Sequence, residues 1–378
     1  MEYSGLGGCI TAFNWVKCDN GGRYWANMTY NFGIIGLGMI AKFHAAAIRA
    51  TCGANLAAVF SEDEIKADKF ASEFNCAPYS DFSSFLAHKD LDAVSICTPS
   101  GAHLQPCLAS AEAGKHIVCE KPLEVSVERI DQMIRGCDKS GVMLSGIFPR
   151  RFNQSTNELK KAIQENRFGT ITMADAYVKW WRDQDYYDSA AWRGTWKLDG
   201  GGALMNQSIH TIDLLLYLMG PVKNVRAETR TIAHKSIEVE DTAVAILEFE
   251  TGALGVIQGS TSSWSRSGHP AEIQITGSKG SVFMVDDRFR VWDFKDEVAS
   301  DDEVRKRYGI RENFDGAGAA DPSKIDFKWH ARNYEDIILA LNNKSVPSIS
   351  GAEARRAVAL ISAIYESAQS GGNKVEVV

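Results

Sequence analysis

The sequence predicts an α/β protein in which a doubly wound parallel sheet precedes an α+β domain with a large, mostly antiparallel open sheet. Three observations carry this. Short apolar runs alternate with helical stretches from Tyr30 to Ser145. A glycine-rich turn, Gly36-Leu37-Gly38-Met39-Ile40-Ala41, joins the first strand to the first helix. Beyond Pro149 the pattern becomes strands separated by Thr-Gly and Gly-Ser turns. The expected division is a disordered leader over 1–28, a dinucleotide-binding domain over 29–149, and a substrate-binding and oligomerisation domain over 150–378.

Taken in order, Phe32–Ile35 is an apolar strand entering the glycine turn, and Ala41–Thr51 is an alanine-rich helix. Leu56–Phe60 is the second strand and Glu64–Phe74 carries helical spacing. Strands Ala93–Cys97, His116–Cys119 and Val142–Ser145 alternate with helices Leu104–Ala113 and Val127–Ser140. The second half opens with a helix over Asn157–Asn166 and a long one over Ala203–Met219. Strands follow at Ala243–Glu250, Leu254–Ser260, Glu272–Thr276 and Ser281–Val285. A surface loop or short helix is expected over Asp296–Asp321, and helices near Tyr334–Asn342 and Ala352–Ser370 close the chain.

Composition bounds the function. The chain has 378 residues, 45% hydrophobic and 24% charged, as in a globular protein. Its net charge of −7 argues against nucleic acid as the main partner, and no basic block suggests an anionic membrane surface. The longest apolar stretch, around Leu214–Met219, is far short of the ~20 residues needed to span a bilayer. Residues 1–27 have no positively charged start, which disfavours a signal peptide. The eight cysteines form no C-x-x-C pair and no zinc-finger spacing, so neither a metal centre nor a disulfide framework is expected. That usage suits a reducing cytoplasm.

The glycine turn follows a strand and opens a helix, the context that gives G-x-G-x-x-A meaning. Gly36 permits the tight turn, Gly38 lets the backbone approach a pyrophosphate, and Ala41 allows close helix–strand packing. Met39 and Ile40 begin a helix whose free N–H groups can face phosphates. This is a Rossmann arrangement. At the tip of the second strand, Ser61 stands where an acid would bind the ribose of NAD, with Glu62 beside it. A serine leaves room for a 2′-phosphate, but no arginine adjoins to pair with one, so the cofactor is NAD or NADP, leaning to NAD.

Lys121, in Glu120-Lys121-Pro122, ends an apolar strand. The following proline restricts its backbone, and the carboxyl end of such a strand opens on the ligand crevice. Taken alone, a surface lysine with Pro122 starting a helix is the better reading. A second cluster changes the balance. On a helix after Gly200-Gly201-Gly202, Asn206, His210 and Asp213 share one face by their i, i+4 and i+3 spacing. Between the two lie Trp181, Trp192, Arg182 and Arg193 among other aromatic residues. Aromatic rings suit the C–H faces of a sugar, and the cations suit an acidic or phosphorylated group. A half-buried antiparallel strand accounts for part of this pattern.

These residues together resemble the Gfo/Idh/MocA family, named for glucose–fructose oxidoreductase and inositol dehydrogenase. The resemblance runs from about Thr29 to the C-terminus. It includes the Gly36 turn, Thr98-Pro99 with His103, Glu120-Lys121-Pro122, Arg151-Phe152 and Gly200–Asp213. It implies an NAD(P)-dependent dehydrogenase or reductase of a sugar, cyclitol or sugar-nucleotide hydroxyl, with Lys121 and His210 as acid–base groups. Asn206 would position the reacting hydroxyl. Thr98, Pro99, His103, Glu120, Lys121 and Arg151 would line the cofactor, and Glu120 would hold the nicotinamide ribose. Lys121, Trp181, Arg182, Trp192, Arg193, Asn206 and His210 would bind substrate. It further implies homo-oligomers formed through the second sheet. The family's usual D-x-G-x-H-x-x-D is here Asn206-Gln207-Ser208-Ile209-His210-Thr211-Ile212-Asp213. The amide cannot serve as a base, and the variant is similar to members acting on sugar nucleotides, including UDP-N-acetylglucosaminuronate dehydrogenases. Two other readings are a glycoside hydrolase that recycles a tightly bound dinucleotide and a non-catalytic dinucleotide sensor. Retention of both Lys121 and His210 speaks against the sensor.

Overall fold

The structure, a computed structural model, describes residues 28–310 and 327–378, with the backbone of 15–17 and 23–25. Most of the predicted leader lies outside the described residues. Within it, Trp15–Lys17 and Arg23–Trp25 pair as antiparallel strands.

Six parallel strands form the first sheet: β1 (Tyr30–Ile35), β2 (Ala54–Phe60), β3 (Ala77–Tyr79), β4 (Ala93–Ile96), β5 (His116–Cys119) and β6 (Leu144–Gly146). Their order is β3-β2-β1-β4-β5-β6. The order reverses between β1 and β4, which opens a ligand crevice at their carboxyl ends. Helices α1 (Met39–Ala50), α2 (Glu64–Phe74), α3 (Phe82–Leu86), α4 (Leu104–Glu112) and α5 (Val127–Ser140) connect the strands. The strands read as unbroken apolar runs because both faces are covered. Phe32 and Ile34 pack in a core with Ala41, Ala45 and Ile48 of α1, while Ile35, Val94 and Ile96 join Cys107 and Ile130 of α4 and α5.

The second sheet has eight strands: β7 (Ile171–Lys179), β8 (Val222–Arg230), β9 (Thr242–Phe249), β10 (Leu254–Ser260), β11 (Glu272–Gly277), β12 (Gly280–Val285), β13 (Arg288–Phe294) and β14 (Val375–Glu376). They lie in the order β13-β12-β11-β7-β10-β9-β8-β14, and all pairs are antiparallel except β7–β10. One face packs against α8 (Ile209–Met219) and α11 (Gly351–Gln369), so Ala174, Ala245 and Ile257 share a core with Ile212, Leu215 and Ile361. The other face leaves Met173, Val244, Ile246 and Leu254 exposed. The remaining helices are α6 (Gln154–Gln164), α7 (Gln184–Asp188), α9 (Ser300–Tyr308) and α10 (Lys328–Asn343). The last of these returns to the first sheet, where Tyr334 is fully buried edge-on to Phe32 at 5.4 Å.

Four expectations change. Strands β7, β8 and β13 were not foreseen; the pattern of the central one, β7, is broken by Asp175, a buried acid whose Oδ1 accepts from Val256 N at 2.8 Å. The predicted long helix Ala203–Met219 is divided: Ala203–Ser208 is a π-helical turn and α8 begins at Ile209. Three bonds favour the wider turn. Ser208 Oγ donates to Ala203 O at 2.7 Å, and the buried Glu240 carboxylate accepts from Gly202 N and Leu204 N at 2.9 and 2.8 Å. Pro122 starts no helix: the Lys121–Pro122 bond is cis, and α5 begins at Val127 behind the Ser126 cap. Cys52 is disulfide-bonded, a bridge that no cysteine spacing had suggested. Part of Asp296–Asp321 forms α9, and the remainder from 311 lies outside the described residues. No helix among the described residues is long and apolar enough to cross a membrane.

Glu240 ties β9 and α11 to the π turn, since Tyr365 Oη also donates to it at 2.9 Å. Burial pushes its carboxyl up to about 7 from an ordinary 4.5. The native protein therefore holds a proton that the unfolded chain releases between these values, so this group's contribution to stability falls as pH rises through that window. Melting curves of wild type and Glu240→Gln between about pH 4.5 and about 7 should show the wild type losing ground relative to the variant as pH rises; parallel curves would contradict the assignment.

Candidate active site

At the switch point the glycine turn is built to accept phosphate. Gly36 has φ +86°, and a Cβ there would lie 2.9 Å from the Thr98 side chain, so only glycine fits the close crossing. A Cβ at Gly38 would meet nothing within 4 Å, so open space lies above the turn. The start of α1 has no side-chain cap and no acid in its first turn, and Met39 is exposed. These features fit a dinucleotide pyrophosphate. Ser61 Oγ accepts from Asp63 N at 3.2 Å, which shapes the loop at the tip of β2, with Glu62 exposed beside it.

The loop after β5 is fixed from below. Glu120 Oε1 accepts from His44 Nε2 at 2.8 Å, His330 Nε2 lies 3.6 Å from the same oxygen, and Oε2 accepts from Lys121 N at 3.0 Å. His44 Nδ1 in turn meets Tyr334 Oη at 2.7 Å, and that hydroxyl meets Ser95 Oγ at 2.5 Å. The three donor atoms of His44, Glu120 and His330 lie within 4.8 Å of one another, but the direct His44–Glu120 contact is that of a hydrogen-bonded chain. Although burial opposes ionisation of Glu120, its two histidine partners hold the carboxyl well below the usual range. The ring nitrogens of buried His103 lie 2.9 Å from Thr98 O and 3.0 Å from Pro122 O. This residue clamps the Thr98-Pro99 turn to the lysine loop.

Lys121 is half-buried, and its Nζ donates to the backbone oxygen of Asn206 at 2.9 Å. Burial lowers its pKa, as do the guanidiniums of Arg193 and Arg182, while Glu120 and Asp199 oppose the shift. His210 follows on α8, edge-on to Phe148 at 5.7 Å, with a buried Nδ1 that has no hydrogen-bond partner. Burial and the Lys121 charge hold its pKa well below the ordinary value, so its imidazole is neutral. Lys121, Asn206 and His210 are therefore brought together as expected. Asp213 is not: it faces Arg151, which donates to it through Nε at 2.8 Å and Nη2 at 2.6 Å, and Nη1 reaches Glu353 at 3.0 Å. The Arg151 guanidinium, expected at the cofactor, is thus engaged in a buried pair with two carboxylates.

A directional chain of side chains lies beside the lysine. Arg182 Nη2 donates to Gln207 Oε1 at 2.9 Å, Gln207 Nε2 donates to Asn206 Oδ1 at 3.0 Å, and Asn206 Nδ2 donates to Asp199 Oδ1 at 2.5 Å. Asp199 is 1% exposed, and its other oxygen accepts from Gly194 N at 2.9 Å. Sequence reasoning missed Asp199 and Gln207. Only the loop that folds Asp199 back over the π turn brings them together, although the acid immediately preceding the three glycines was visible. Arg193 stacks over Tyr186 at 4.2 Å and Trp192 at 4.8 Å, with its buried Nε unpartnered. Arg182 lies over Trp180 and Tyr186, and its backbone oxygen faces His234 Nε2 at 2.7 Å. Trp181 is 40% exposed beside these residues.

The chain is similar to several known proteins. Residues 30–148 match the family model of the oxidoreductase family's NAD-binding Rossmann fold, and 156–283 match that of the GFO/IDH/MocA C-terminal domain. The chain is 32% identical over 262 residues to myo-inositol 2-dehydrogenase of Thermotoga maritima, a span of 66% of this chain and 74% of that enzyme. Among solved structures it is similar to the WlbA dehydrogenase of Bordetella pertussis in complex with NADH and UDP-GlcNAcA: 34% identity, TM-score 0.82, 93% of this chain and 98% of that one. The WlbA dehydrogenase of Chromobacterium violaceum, with the same two ligands, gives 32% identity and a TM-score of 0.83, covering 93% and 97%. The first domain binds NAD.

The open space at Gly38 yields a selective test. Gly38→Ala should change the melting temperature little, because its Cβ meets no protein atom within 4 Å, yet weaken NADH binding about tenfold or more by occupying the pyrophosphate approach. Fluorescence titration with NADH checks this, and unaltered affinity would place the cofactor elsewhere.

Proposed function

The chain belongs to the Gfo/Idh/MocA oxidoreductase family, and from that premise we propose that it oxidises or reduces a hydroxyl-bearing carbon of an acidic sugar nucleotide, with Lys121 as acid–base group. It is an NAD-dependent dehydrogenase of the sugar, cyclitol and sugar-nucleotide class. One observation carries the finer reading: Lys121 Nζ is held at 2.9 Å by the backbone oxygen of Asn206, on the turn that leads into His210, and the Arg182 and Arg193 guanidiniums lower its pKa.

In the oxidative direction the carbinol C–H bond breaks with its electron pair, the C=O bond forms, and the O–H proton passes to neutral Lys121. Bound NAD supplies the hydride acceptor. In the reductive direction protonated Lys121 returns that proton to the oxygen. A partly buried lysine beside two cations gives up its proton more readily than a surface lysine, which suits it to this task. His210, held neutral, would hydrogen-bond the reacting oxygen and share the acid–base work with Lys121. Arg182 and Arg193 would receive the acidic or phosphorylated group, with Trp181 and Trp192 against the sugar faces. Asn206 positions the reacting hydroxyl chiefly through the backbone oxygen that holds Lys121. Gly36, Gly38, Met39 and Ile40 would take the pyrophosphate, and Ser61 and Glu62 the adenosine ribose. Thr98, Pro99, His103 and Glu120 would frame the nicotinamide half, with Arg151 stiffening this side from behind. These roles divide the chain near residue 150 into cofactor and substrate parts.

The solved relatives that share about a third of this sequence hold UDP-GlcNAcA, a uronic acid, and the paired arginines here are suited to such a carboxylate. Wild type should form NADH from NAD and UDP-N-acetylglucosaminuronate. Lys121→Ala should lower kcat by roughly 10²–10⁴-fold while NADH affinity stays near wild type. Near-normal turnover in that variant would remove Lys121 from the mechanism.

The exposed sheet face, with Val244, Ile246, Met173 and Leu254, supports a homo-oligomer built on it. Light scattering should give a mass above the 41.5 kDa of one chain, and Ile246→Asp should reduce it. A monomeric wild type would refute this.

A further inference from the structure

The family's usual acid in D-x-G-x-H is here an amide, Asn206, yet the carboxylate has not vanished from the site. Asp199, seven residues earlier, is folded onto that amide at 2.5 Å and is buried. The orientation of Asn206 follows from its neighbours. A carboxylate only accepts, so the NH₂ of Asn206 must face Asp199, and its oxygen turns to the NH₂ of Gln207. The oxygen of Gln207 then faces the guanidinium of Arg182. Both amides are thus oriented by a cation at one end and an anion at the other, and the backbone oxygen of Asn206 grips Lys121 Nζ.

We propose that Asp199 is the positioning residue of the acid–base site: it supplies, through the Asn206 amide, the negative charge and the anchor that hold the Lys121 ammonium in place. This rests on the reading of Lys121 as the acid–base group. Asp199 does not touch the reacting atoms. It acts on Lys121 in two ways. It fixes the Asn206 backbone oxygen that accepts from Nζ, and its charge favours the protonated lysine against Arg182 and Arg193. The groups facing Lys121 come from every element around it. Glu120 lies on its own loop, Asp199 on the loop before the π turn, Arg182 beyond β7, Arg193 beyond α7, and His210 on α8. Asp199 and Glu120 are the anions of that set.

The test reads Lys121 itself and needs no substrate. In the NADH-bound protein, the pH dependence of Lys121 acetylation by limiting acetic anhydride is followed by peptide mass spectrometry for wild type, Asp199→Asn and the exchanged pair Asp199→Asn/Asn206→Asp. Asp199→Asn keeps the size of the side chain and removes the charge. Its Lys121 titration midpoint should fall by about one pH unit or more, because a nearby opposite charge is lost. The exchanged pair puts the carboxylate back beside an amide partner and should restore the midpoint. A midpoint unchanged or raised in Asp199→Asn, measured on protein that still binds NADH, overturns the proposal. If the single variant fails to bind NADH, the exchanged pair decides: a midpoint near wild type supports the role, and a midpoint about one unit lower overturns it. Turnover of UDP-N-acetylglucosaminuronate is scored separately. A wild type inactive on that substrate, with the Lys121 shift intact, would refute the substrate assignment and leave this inference standing.

Discussion

One hydrogen bond at the site ties the two halves of the chain together: Lys121 Nζ, carried by the loop after β5, to the backbone oxygen of Asn206 in the π turn before α8. A primary ammonium is strongly hydrated, and drawing it out of water is costly unless its donors are met. The fold meets one donor with a peptide oxygen, which no side-chain rotamer can withdraw. Both ends of the bond are rigid for separate reasons. The lysine loop is clamped by Glu120 and His103, and the π turn by Glu240 and Ser208.

This explains why helix α10 returns from the second half of the chain to the first sheet. Tyr334 and His330 reach the underside of Glu120, one through His44 and the other directly. A buried carboxylate without partners would take up a proton. With two imidazoles against it the group remains ionised, and one of its oxygens is free to hold the Lys121 N–H. The site is therefore assembled from the whole length of the chain, although its two defining side chains sit only at positions 121 and 210.

Much of this was legible in the sequence because it depends on local patterning. The parallel sheet is visible in apolar runs that are covered on both faces, and the cofactor turn in Gly36, whose φ and close approach leave no alternative. The parts that escaped depend on contacts remote in the chain. Strand β7 was hidden by Asp175, which is tolerated at the centre of a sheet only because Val256 N lies opposite it. The π turn was hidden because the sequence is an ordinary helical one, and its widening is imposed by Glu240, more than thirty residues later. Asp213 kept its helical spacing from His210 yet serves Arg151, since spacing fixes a shared face and not the partner across from it. The substitution of an amide at 206 was legible, but its compensation was not.

The charges around Lys121 couple its proton to the substrate. Three cations, Lys121, Arg182 and Arg193, face two carboxylates, Glu120 and Asp199, with His210 neutral. On the substrate proposed above, a carboxylate or phosphate entering beside the arginines would offset the excess and stabilise protonated Lys121, so that proton and acidic substrate would favour each other's binding. Yet oxidation needs the lysine neutral, and the preference that admits the acid works against the base. Asp199 and Arg193 act in opposite directions on that balance. Removing Arg193 would weaken the hold on an anion and, in the same step, make Lys121 a stronger base, so selectivity and acid–base strength are not independent in this site.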